Sequence, residues 1–234
     1  MASRPLLYLI RHGQASFGAP DYDALSPTGE RQAALLGEHW RRLRLRFDAV
    51  YSGRMRRQQD SARRALDAAG ENPAALRIEA AFDEFDHRNL IRAYLPLVAR
   101  EHPELALDPR ELFGDARKFQ ALFEHIVAAW ASDRPGAEPL VERWTDFCAR
   151  SLDGLARAAA SGERIAVFTS GGVITAVLRA ALGLSDHAAF RLNWRILNAS
   201  VHLFRLEAAQ PELRRFNDVA HLELHQDPSL LTYR

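Results

Sequence analysis

A short apolar run near the start of the chain stops at three residues that can carry chemistry. The run Leu6–Ile10 has the composition of a buried strand, and Arg11, His12 and Gly13 follow it directly. A buried parallel strand of an α/β protein ends at the edge of the sheet where ligands bind. Arginine holds phosphate or carboxylate with its planar fork, imidazole acts as a base, a metal ligand or a nucleophile, and glycine lets the backbone approach a ligand. The segment therefore predicts an anion site that contains a reactive imidazole.

Strand and helix patterns alternate along the chain, which favours an α/β layer architecture. We expect one domain over residues 1–234, a three-layer α/β/α sandwich with a mostly parallel sheet. The predicted strands are Leu6–Ile10, Phe47–Ser52, Leu76–Glu79, Arg164–Thr169, Ser200–Leu206 and Leu213–Phe216. The predicted helices are Ser26–Arg46, Met55–Gly70, Val173–Leu182 and His187–Trp194. Residues 90–161 are mostly helical in pattern, clearest in Glu111–Ser132 and Pro139–Ala160, and predict a helical insertion.

The charge balance and the apolar runs argue against nucleic-acid-binding and membrane proteins. Among 234 residues, 31 Lys and Arg stand against 30 Asp and Glu, a formal net charge of +1, so no basic excess favours nucleic acid as a partner. No apolar run reaches the roughly 18–20 residues of a membrane span, and the stretch before Leu6 has no room for a secretory leader. The single cysteine, Cys148, is expected to be a buried core residue. We therefore expect a cytoplasmic protein.

The motifs give no support to a metal or nucleotide cofactor. The chain has no Cys-x-x-Cys, no His-Glu-x-x-His and no calcium-binding loop. Its glycines at 13, 171 and 172 form neither a Walker nor a dinucleotide pattern. We therefore expect no metal and no cofactor.

An arginine-rich stretch follows the predicted second strand. Arg56 lies at the start of the next predicted helix, where backbone N–H groups and the helix dipole favour an anion. Arg56 is therefore a candidate phosphate ligand. The alternative is that Arg54, Arg56 and Arg57 form a solvated surface cluster.

The segment Arg11-His12-Gly13 resembles the signature of the histidine phosphatase superfamily, which has the phosphoglycerate mutase-like fold. The resemblance implies that His12 is a nucleophile that carries the phosphoryl group covalently, with Arg11 and Gly13 among the residues that bind it. The resemblance covers most of the chain outside the predicted insertion.

The family pattern after the second strand is a serine, an arginine four residues on and a glutamine three after that. Ser52, Arg56 and Gln59 match this pattern. The proline and leucine that usually follow the serine are replaced by Gly53 and Arg54, and the threonine that usually follows the glutamine is replaced by an aspartate.

The family also places a glutamate after its third strand as the general acid for the leaving alcohol. Glu84 matches best, and its neighbours Phe82 and Phe85 would favour the protonated, proton-donating form by excluding water. Asp83 or Asp86 could serve instead. The alternative for the whole segment is a solvent-facing acidic turn.

The end of the predicted fourth strand departs from the family. A second pocket histidine, which hydrogen-bonds the phosphoryl oxygens, usually stands where this chain has Ser170. Gly171 and Gly172 preserve the turn from strand to helix, so the resemblance still implies a backbone cradle that includes Gly171. Loss of one preorganised donor typically lowers a rate by about 10²- to 10³-fold. We therefore expect a weakened or retuned phosphatase.

Four further residues are candidates for the pocket. Gln14 and Ser16 follow the signature and would line the pocket or be exposed. His87 and His221 are the candidates to supply the histidine that Ser170 replaces. The other histidines are expected to be structural or surface residues; they are His39, His102, His125, His187, His202 and His225.

Together these features predict a metal-independent phosphomonoester hydrolase that acts on a phosphorylated small molecule or phosphoprotein. An inactive phospho-ligand or protein-binding member of the same fold is the alternative, and Ser170 is its best argument. A phosphoglycerate mutase is less favoured, because Ser16–Pro20 lacks the Asn and Trp that true mutases carry after the signature.

Overall fold

The computed structural model describes most of the chain, as residues 4–16, 23–105, 116–132, 134, 142–207 and 210–233, with only the backbone for 116 and 117. The chain is divided into two compact units. The first comprises residues 1–84 and 150–234, and the second residues 85–149.

A six-stranded, mostly parallel sheet forms the first unit, in the order β3-β2-β4-β1-β5-β6. The strands are β1 (Leu6–Arg11), β2 (Ala49–Ser52), β3 (Arg77–Ile78), β4 (Arg164–Thr169), β5 (Val201–Glu207) and β6 (Gln210–Asp218). The strands β1 to β4 pair in parallel, and β5 and β6 add an antiparallel edge beside β1. The sheet is flanked by helices, so the predicted fold class is confirmed.

The helices that belong wholly to the first unit are α1 (Pro27–Leu43), α2 (Arg56–Ala69), α6 (Gly171–Leu182), α7 (Asp186–Asn193) and α8 (Ala220–Glu223). The helix α1 begins as expected, with Ser26 Oγ accepting from the Gly29 N–H at 3.1 Å and proline at the first helical position. It ends before the expected Arg46, because Arg44 adopts the left-handed conformation at φ 53°. The helix α2 ends at Gly70, whose φ of 77° favours glycine.

The main core of the first unit lies between α1, α2 and the strands β1, β2 and β4. The buried faces of α1 and α2 carry mostly small and aliphatic residues, which pack on the strands. This core contains Ile10, Leu36, Trp40, Val50, Ala62, Ala65, Leu66, Ala166 and Phe168. The packing fixes the rotation of α2, and this rotation decides which of its side chains face the ends of the strands.

The second unit is helical and contains α3 (His87–Glu101), α4 (Ala116–Ala131) and the first part of α5 (Trp144–Ala159). Its core is aromatic, with ring contacts among Phe85, Phe123, Trp130, Trp144 and Phe147. Cys148 is buried, as expected. In the part of the chain that the structure describes, no helix combines the length and apolar character that a membrane crossing needs.

The helical unit has different limits from the predicted insertion, 85–149 instead of 90–161. The reason is that α5 is continuous but its second half packs on the first unit, where a Cβ on Gly154 would lie 2.4 Å from the Ala81 methyl group. Residues 17–22, which follow Ser16, lie outside the described residues. The first residues of two predicted helices also lie outside them, at 111–115 of Glu111–Ser132 and at 139–141 of Pro139–Ala160.

Candidate active site

The carboxyl ends of β1, β2 and β4 meet at one edge of the sheet. Arg11 is the register partner of Thr169, and the His12 N–H donates to the Thr169 carbonyl at 2.9 Å. The Gly53 N–H, which follows β2, donates to the Phe168 carbonyl at 3.3 Å. The three strand ends that carry the predicted motifs therefore lie side by side.

The hydrogen bonds of His12 define its tautomer. Nδ1 lies 2.7 Å from the Gly13 carbonyl oxygen, which can only accept, so Nδ1 carries the proton. Nε2 then presents its lone pair and accepts from Arg57 Nε–H at 3.1 Å. Burial, reinforced by the Arg57 and Arg11 guanidinium groups, holds the pKa of His12 well below its usual value. The ring is therefore neutral at physiological pH, with a nucleophilic nitrogen opposite a guanidinium group.

The guanidinium that contacts His12 belongs to Arg57, whereas the motif spacing predicts Arg56 as the phosphate ligand. The Arg57 side chain is 7% exposed and forms an ion pair with Asp23 at 2.7 Å. The Arg56 side chain is 61% exposed and lies 3.4 Å from Asp60 on the outer side of α2. The physical reason is the rotation of α2, because successive residues of a helix point about 100° apart.

Arg11 brings a second guanidinium to this edge of the sheet. Its Nη1 donates to the carbonyl of Ile196 in the loop before β5. The charge of Arg11 also helps to lower the pKa of the buried His202 on β5, which burial lowers most. His202 thus lies near Arg11 as a neutral residue, with Nε2 3.0 Å from Ser200 Oγ.

The loop that carries His12 is anchored to α1 and α2. The Gly13 N–H donates to Ser61 Oγ at 2.9 Å, and a Cβ on Gly13 would lie 2.3 Å from the Gly29 carbonyl oxygen. The Gln14 N–H donates to Gln32 Oε1 at 2.8 Å. Glycine is needed at position 13 because the loop and α1 are in direct backbone contact.

A second set of contacts joins the same loop to the end of the chain. The His12 carbonyl accepts from Asn198 Nδ2 and from the Ala199 N–H, both at 3.2 Å. Asn198 Oδ1 accepts from the Thr232 hydroxyl at 3.0 Å, and this hydroxyl accepts from Gln32 Nε2 at 2.9 Å. The backbone position of His12 therefore depends on buried amides and on Thr232.

Ser170 lies at the end of β4, one residue beyond the Thr169 carbonyl that binds His12. It is 1% exposed, and its Oγ accepts from Gln58 Nε2 at 2.8 Å. Its side chain makes no capping bond to α6, although its backbone carbonyl accepts from the Ile174 N–H at 3.3 Å. A buried hydroxyl with donor capacity therefore lies one residue beyond the carbonyl that binds the His12 N–H.

Glu84 lies at the start of α6, where Oε2 accepts from the Gly172 N–H at 3.0 Å. The Phe82 carbonyl anchors its segment by accepting from Thr169 Oγ1 at 2.7 Å. Of the two alternative acids, Asp83 binds the backbone and side chain of Arg54, at 2.6 and 2.7 Å. Asp86 caps α3 in the second unit. Glu84 is therefore the acid that the structure brings to the helix end beside Ser170.

The other candidates from the sequence have varied positions. Gln14 Oε1 accepts from Ser26 Oγ at 2.7 Å, and the Ser16 N–H donates to the Ala24 carbonyl at 2.9 Å. His221 of α8 lies beside His39 of α1, with ring centroids 6.2 Å apart, and its place in the pocket stays a prediction. His87 is the first residue of α3 in the second unit, and its place in the pocket stays a prediction.

Sequence reasoning missed Asp23, Arg57, Gln58, Ser61 and Asn198. The apolar positions of α2 carried a signal for three of them, because Arg57, Gln58 and Ser61 share the buried face with Ala62 and Ala65. No local pattern points to Asp23 or Asn198. Within the described ranges, no group of three or more His, Cys, Asp or Glu residues is arranged to hold a metal ion.

Buried neutral histidines should make the protein less stable in acid. The pKa values of His202 and His221 are lowered to about 3 by burial, against an ordinary value of 6.5. Between these values the unfolded chain binds more protons, so the free energy of unfolding falls as the pH falls below about 6.5 and is unaffected by these groups above it. Each group removes about 2 kcal/mol at pH 5, at 1.36 kcal/mol per pH unit.

Urea unfolding at pH 8 and pH 5 tests this expectation. His221→Leu should reduce the difference in unfolding free energy between the two pH values by about 2 kcal/mol. The exposed His187→Ala serves as the control and should leave the difference unchanged. An identical difference in the wild type and His221→Leu would contradict the expectation.

A profile of the histidine phosphatase superfamily (branch 1) matches residues 7–110 and 107–219. A search of curated proteins finds no match.

Solved structures share the fold at low sequence identity. A phosphoglycerate mutase from Bacillus anthracis is 18% identical, covers 97% of this chain and 98% of its own, and gives a TM-score of 0.64. A phosphoserine phosphatase variant from Entamoeba histolytica, in complex with phosphoserine, is 17% identical, with 93% and 99% coverage and a TM-score of 0.62. A mycobacterial glucosyl-3-phosphoglycerate phosphatase is 19% identical, with 90% and 96% coverage and a TM-score of 0.57.

Proposed function

Because this chain belongs to the histidine phosphatase superfamily, we propose that it hydrolyses phosphomonoesters through a phosphohistidine intermediate on His12. The observation that carries the proposal is the state of the His12 ring. Nδ1 is tied to the Gly13 carbonyl, and Nε2 keeps a lone pair that faces Arg57. A neutral imidazole held in one tautomer is prepared for attack on phosphorus.

Two guanidinium groups and a helix end hold the phosphoryl group. The charges of Arg11 and Arg57 both lower the pKa of His12, so both guanidinium groups lie near its ring. The Gly171 N–H at the start of α6 and the Ser170 hydroxyl complete the cradle. Gly13 contributes by holding His12, because its carbonyl accepts from Nδ1 and its own N–H is bound to Ser61 Oγ. Arg57 Nε–H leaves the Nε2 lone pair when the substrate binds and turns to a phosphoryl oxygen. These groups supply the electrostatic stabilisation that phosphoryl transfer needs.

The reaction has two steps. In the first, His12 Nε2 forms a bond to phosphorus while the bond from phosphorus to the leaving oxygen breaks, and protonated Glu84 gives its proton to that oxygen. In the second, water attacks the phosphorus of phospho-His12, its proton passes to the Glu84 carboxylate, and the bond between phosphorus and Nε2 breaks. The negative charge of a bound phosphoryl group favours the protonated form of the nearby carboxyl in the first step.

A phosphorylated small molecule is the substrate class that the comparisons favour. The similar structures include a phosphatase bound to phosphoserine and another described as acting on glucosyl-3-phosphoglycerate. A phosphoprotein is the second class, because an aryl or alkyl phosphate on a peptide presents the same reacting group.

Rapid quenching with a ³²P-labelled phosphomonoester tests the proposal. The wild-type chain should acquire acid-labile, base-stable label, as expected for a phosphoramidate bond on imidazole, and should release inorganic phosphate. His12→Ala should acquire none and should lose turnover. The matched control, His187→Ala, removes an exposed histidine of α7 and should label as the wild type does.

The alternatives give different results in the same experiment. No label and no turnover across sugar phosphates, nucleotides, phosphopeptides and aryl phosphates would contradict the hydrolase and favour a phospho-ligand-binding protein. Transfer of the label from the protein to a hydroxyl group of another substrate molecule, instead of to water, would favour a mutase. Equal labelling of wild type and His12→Ala would contradict the role of His12.

A further inference from the structure

Gln58 and Ser170 form a buried pair at the end of β4, one residue beyond the Thr169 carbonyl that binds the His12 N–H. Gln58 is fully buried, and its Nε2 lies 3.1 Å from the Phe82 carbonyl and 2.8 Å from Ser170 Oγ. The orientation of the amide is fixed by chemistry, because the Phe82 carbonyl can only accept and must face the amino group. The same amino group reaches Ser170, so the Ser170 hydroxyl accepts this hydrogen bond.

The Ser170 side chain makes no capping bond to the helix that follows. A serine before a helix usually accepts from an N–H of the first turn. In this chain Ser170 makes no such bond, and the Gly172 N–H is bound by Glu84 instead at 3.0 Å. Since Oγ accepts from Gln58, the hydroxyl keeps its own proton for donation.

Gly53 leaves the space that Gln58 occupies. A Cβ at position 53 would lie 2.1 Å from Gln58 Oε1 and 2.7 Å from the Phe82 carbonyl oxygen, distances that no side chain tolerates. Within the described residues, Gln58 Oε1 is a buried oxygen without a hydrogen-bond partner. Gln58 is therefore held by two hydrogen bonds of its amino group, to Phe82 and Ser170, in the space that Gly53 leaves.

We propose that Gln58 is a positioning residue that holds Ser170 so that its hydroxyl donates to a phosphoryl oxygen of the group bound at His12. The inference rests on the proposed function for the identity of that group. Three residues then act as one unit. Gly53 leaves space for the side chain of Gln58, the Gln58 amide orients the Ser170 hydroxyl, and this hydroxyl donates a hydrogen bond to the phosphoryl oxygen. The donor at this position is neutral, so it contributes a hydrogen bond without adding charge to the pocket.

A double-mutant cycle tests the proposal, with the rate of p-nitrophenyl phosphate hydrolysis and the Kd of inorganic phosphate and of orthovanadate as readouts. Ser170→Ala should lower kcat about 10²-fold, the lower end of the range for one lost donor. Gln58→Met should lower kcat about tenfold, a coupling typical of residues in contact. The double variant should be no slower than Ser170→Ala, because Gln58 acts only through the hydroxyl.

Two further variants separate positioning from packing. Gln58→Glu keeps the length of the side chain but presents an acceptor, which would draw the Ser170 proton away from the substrate, so we expect a loss as large as that of Ser170→Ala. Ser170→Thr retains the hydroxyl, so its kcat should be at least tenfold higher than that of Ser170→Ala.

The matched control is Gln59→Met. The Gln59 amide binds the exposed Arg54 carbonyl at 2.8 Å, and the kcat of this variant should stay within twofold of that of the wild type. Thermal unfolding followed by circular dichroism reports whether each variant is folded.

The outcomes distinguish this inference from the proposed function. Additive losses in the cycle, or Gln58→Met with unchanged kcat and unchanged orthovanadate Kd, would overturn the role of Gln58 while leaving the phosphohistidine intact. A coupled effect on the Kd of phosphate in a chain that acquires no ³²P label would overturn the hydrolase and support the inference. If Gln58→Met does not fold, the comparison of Gln58→Glu with Ser170→Ala decides. Absence of phosphate and orthovanadate binding by the wild type would overturn both.

Discussion

Arg57→Ala should lower kcat/KM by about 10³-fold, the largest loss that we expect from any single arginine in the chain. Its Nε–H lies 3.1 Å from His12 Nε2, so its charge is placed where the phosphoryl group must be when that nitrogen attacks. Removing one preorganised donor to the charge of a transition state lowers a rate by about 10²- to 10³-fold, and loss of a full buried charge belongs at the upper end. Steady-state kinetics with an aryl phosphate measure the effect.

The same experiment decides between two neighbouring arginines. Arg56→Ala should lower kcat/KM by less than about fivefold, because its side chain is 61% exposed and its ion pair with Asp60 lies on the helix surface. Arg64→Ala, which removes another exposed arginine of α2, is the control and should leave kcat/KM unchanged. If the motif spacing from Ser52 identifies the phosphate ligand correctly, the order will be reversed and Arg56→Ala will cause the large loss.

Glu84→Gln should lower kcat by about 10²- to 10⁴-fold for alkyl phosphates, the usual contribution of a general acid or base. An amide cannot give a proton to the leaving oxygen, but its oxygen can still accept from the Gly172 N–H, so the fold should be retained. The loss should be much smaller in the first step for aryl phosphates, whose leaving groups need no proton. Kinetics with a series of esters of rising leaving-group pKa measure the trend.

The control for Glu84 is Asp83→Asn. Asp83 binds the backbone and guanidinium of Arg54 through both oxygens and is not at the start of α6. The change in kcat that Asp83→Asn causes should be the same for every ester of the series, whatever the pKa of its leaving group. A constant loss across the ester series in Glu84→Gln would contradict its role as the acid.

Local patterns were sufficient for much of the fold. Apolar runs bounded by glycine, proline and capping residues predicted where the central strands lie along the chain, because residues 7–10 of β1 and 165–168 of β4 are apolar and mostly buried. The start of α1 followed from the Ser26 cap, and the end of α2 from Gly70. The limits of the helical unit did not follow, because the periodicity of α5 does not change where its packing partner changes.

The choice between Arg56 and Arg57 shows what the motif spacing left out. Counting residues from Ser52 assumes a fixed path from the strand to the helix. The rotation of α2 is decided instead by its apolar residues, and stepping back four positions from Ser61 and Ala62 on the buried face gives Arg57 and Gln58. Stepping back four from the half-exposed Asp60 gives Arg56. The phase of the helix thus predicts which arginine side chain contacts His12, and the phosphate ligand stays a prediction that the variants of Arg56 and Arg57 test.

The partners of Ser170 and His12 could not be predicted in this way. Ser170 and Gln58 are 112 residues apart, and the chemistry of either residue is compatible with a surface position. Asn198 supports the His12 carbonyl from a distance of 186 residues along the chain. Such contacts depend on how distant segments close on one another, which no local pattern records.

The contacts between Thr232, Asn198 and the His12 carbonyl join segments that lie far apart in the sequence. Local unfolding of the segment that carries Thr232 would remove the hydroxyl that binds both Asn198 and Gln32. The order of the loop at His12 is therefore coupled to a segment that does not contact the imidazole through any of these bonds.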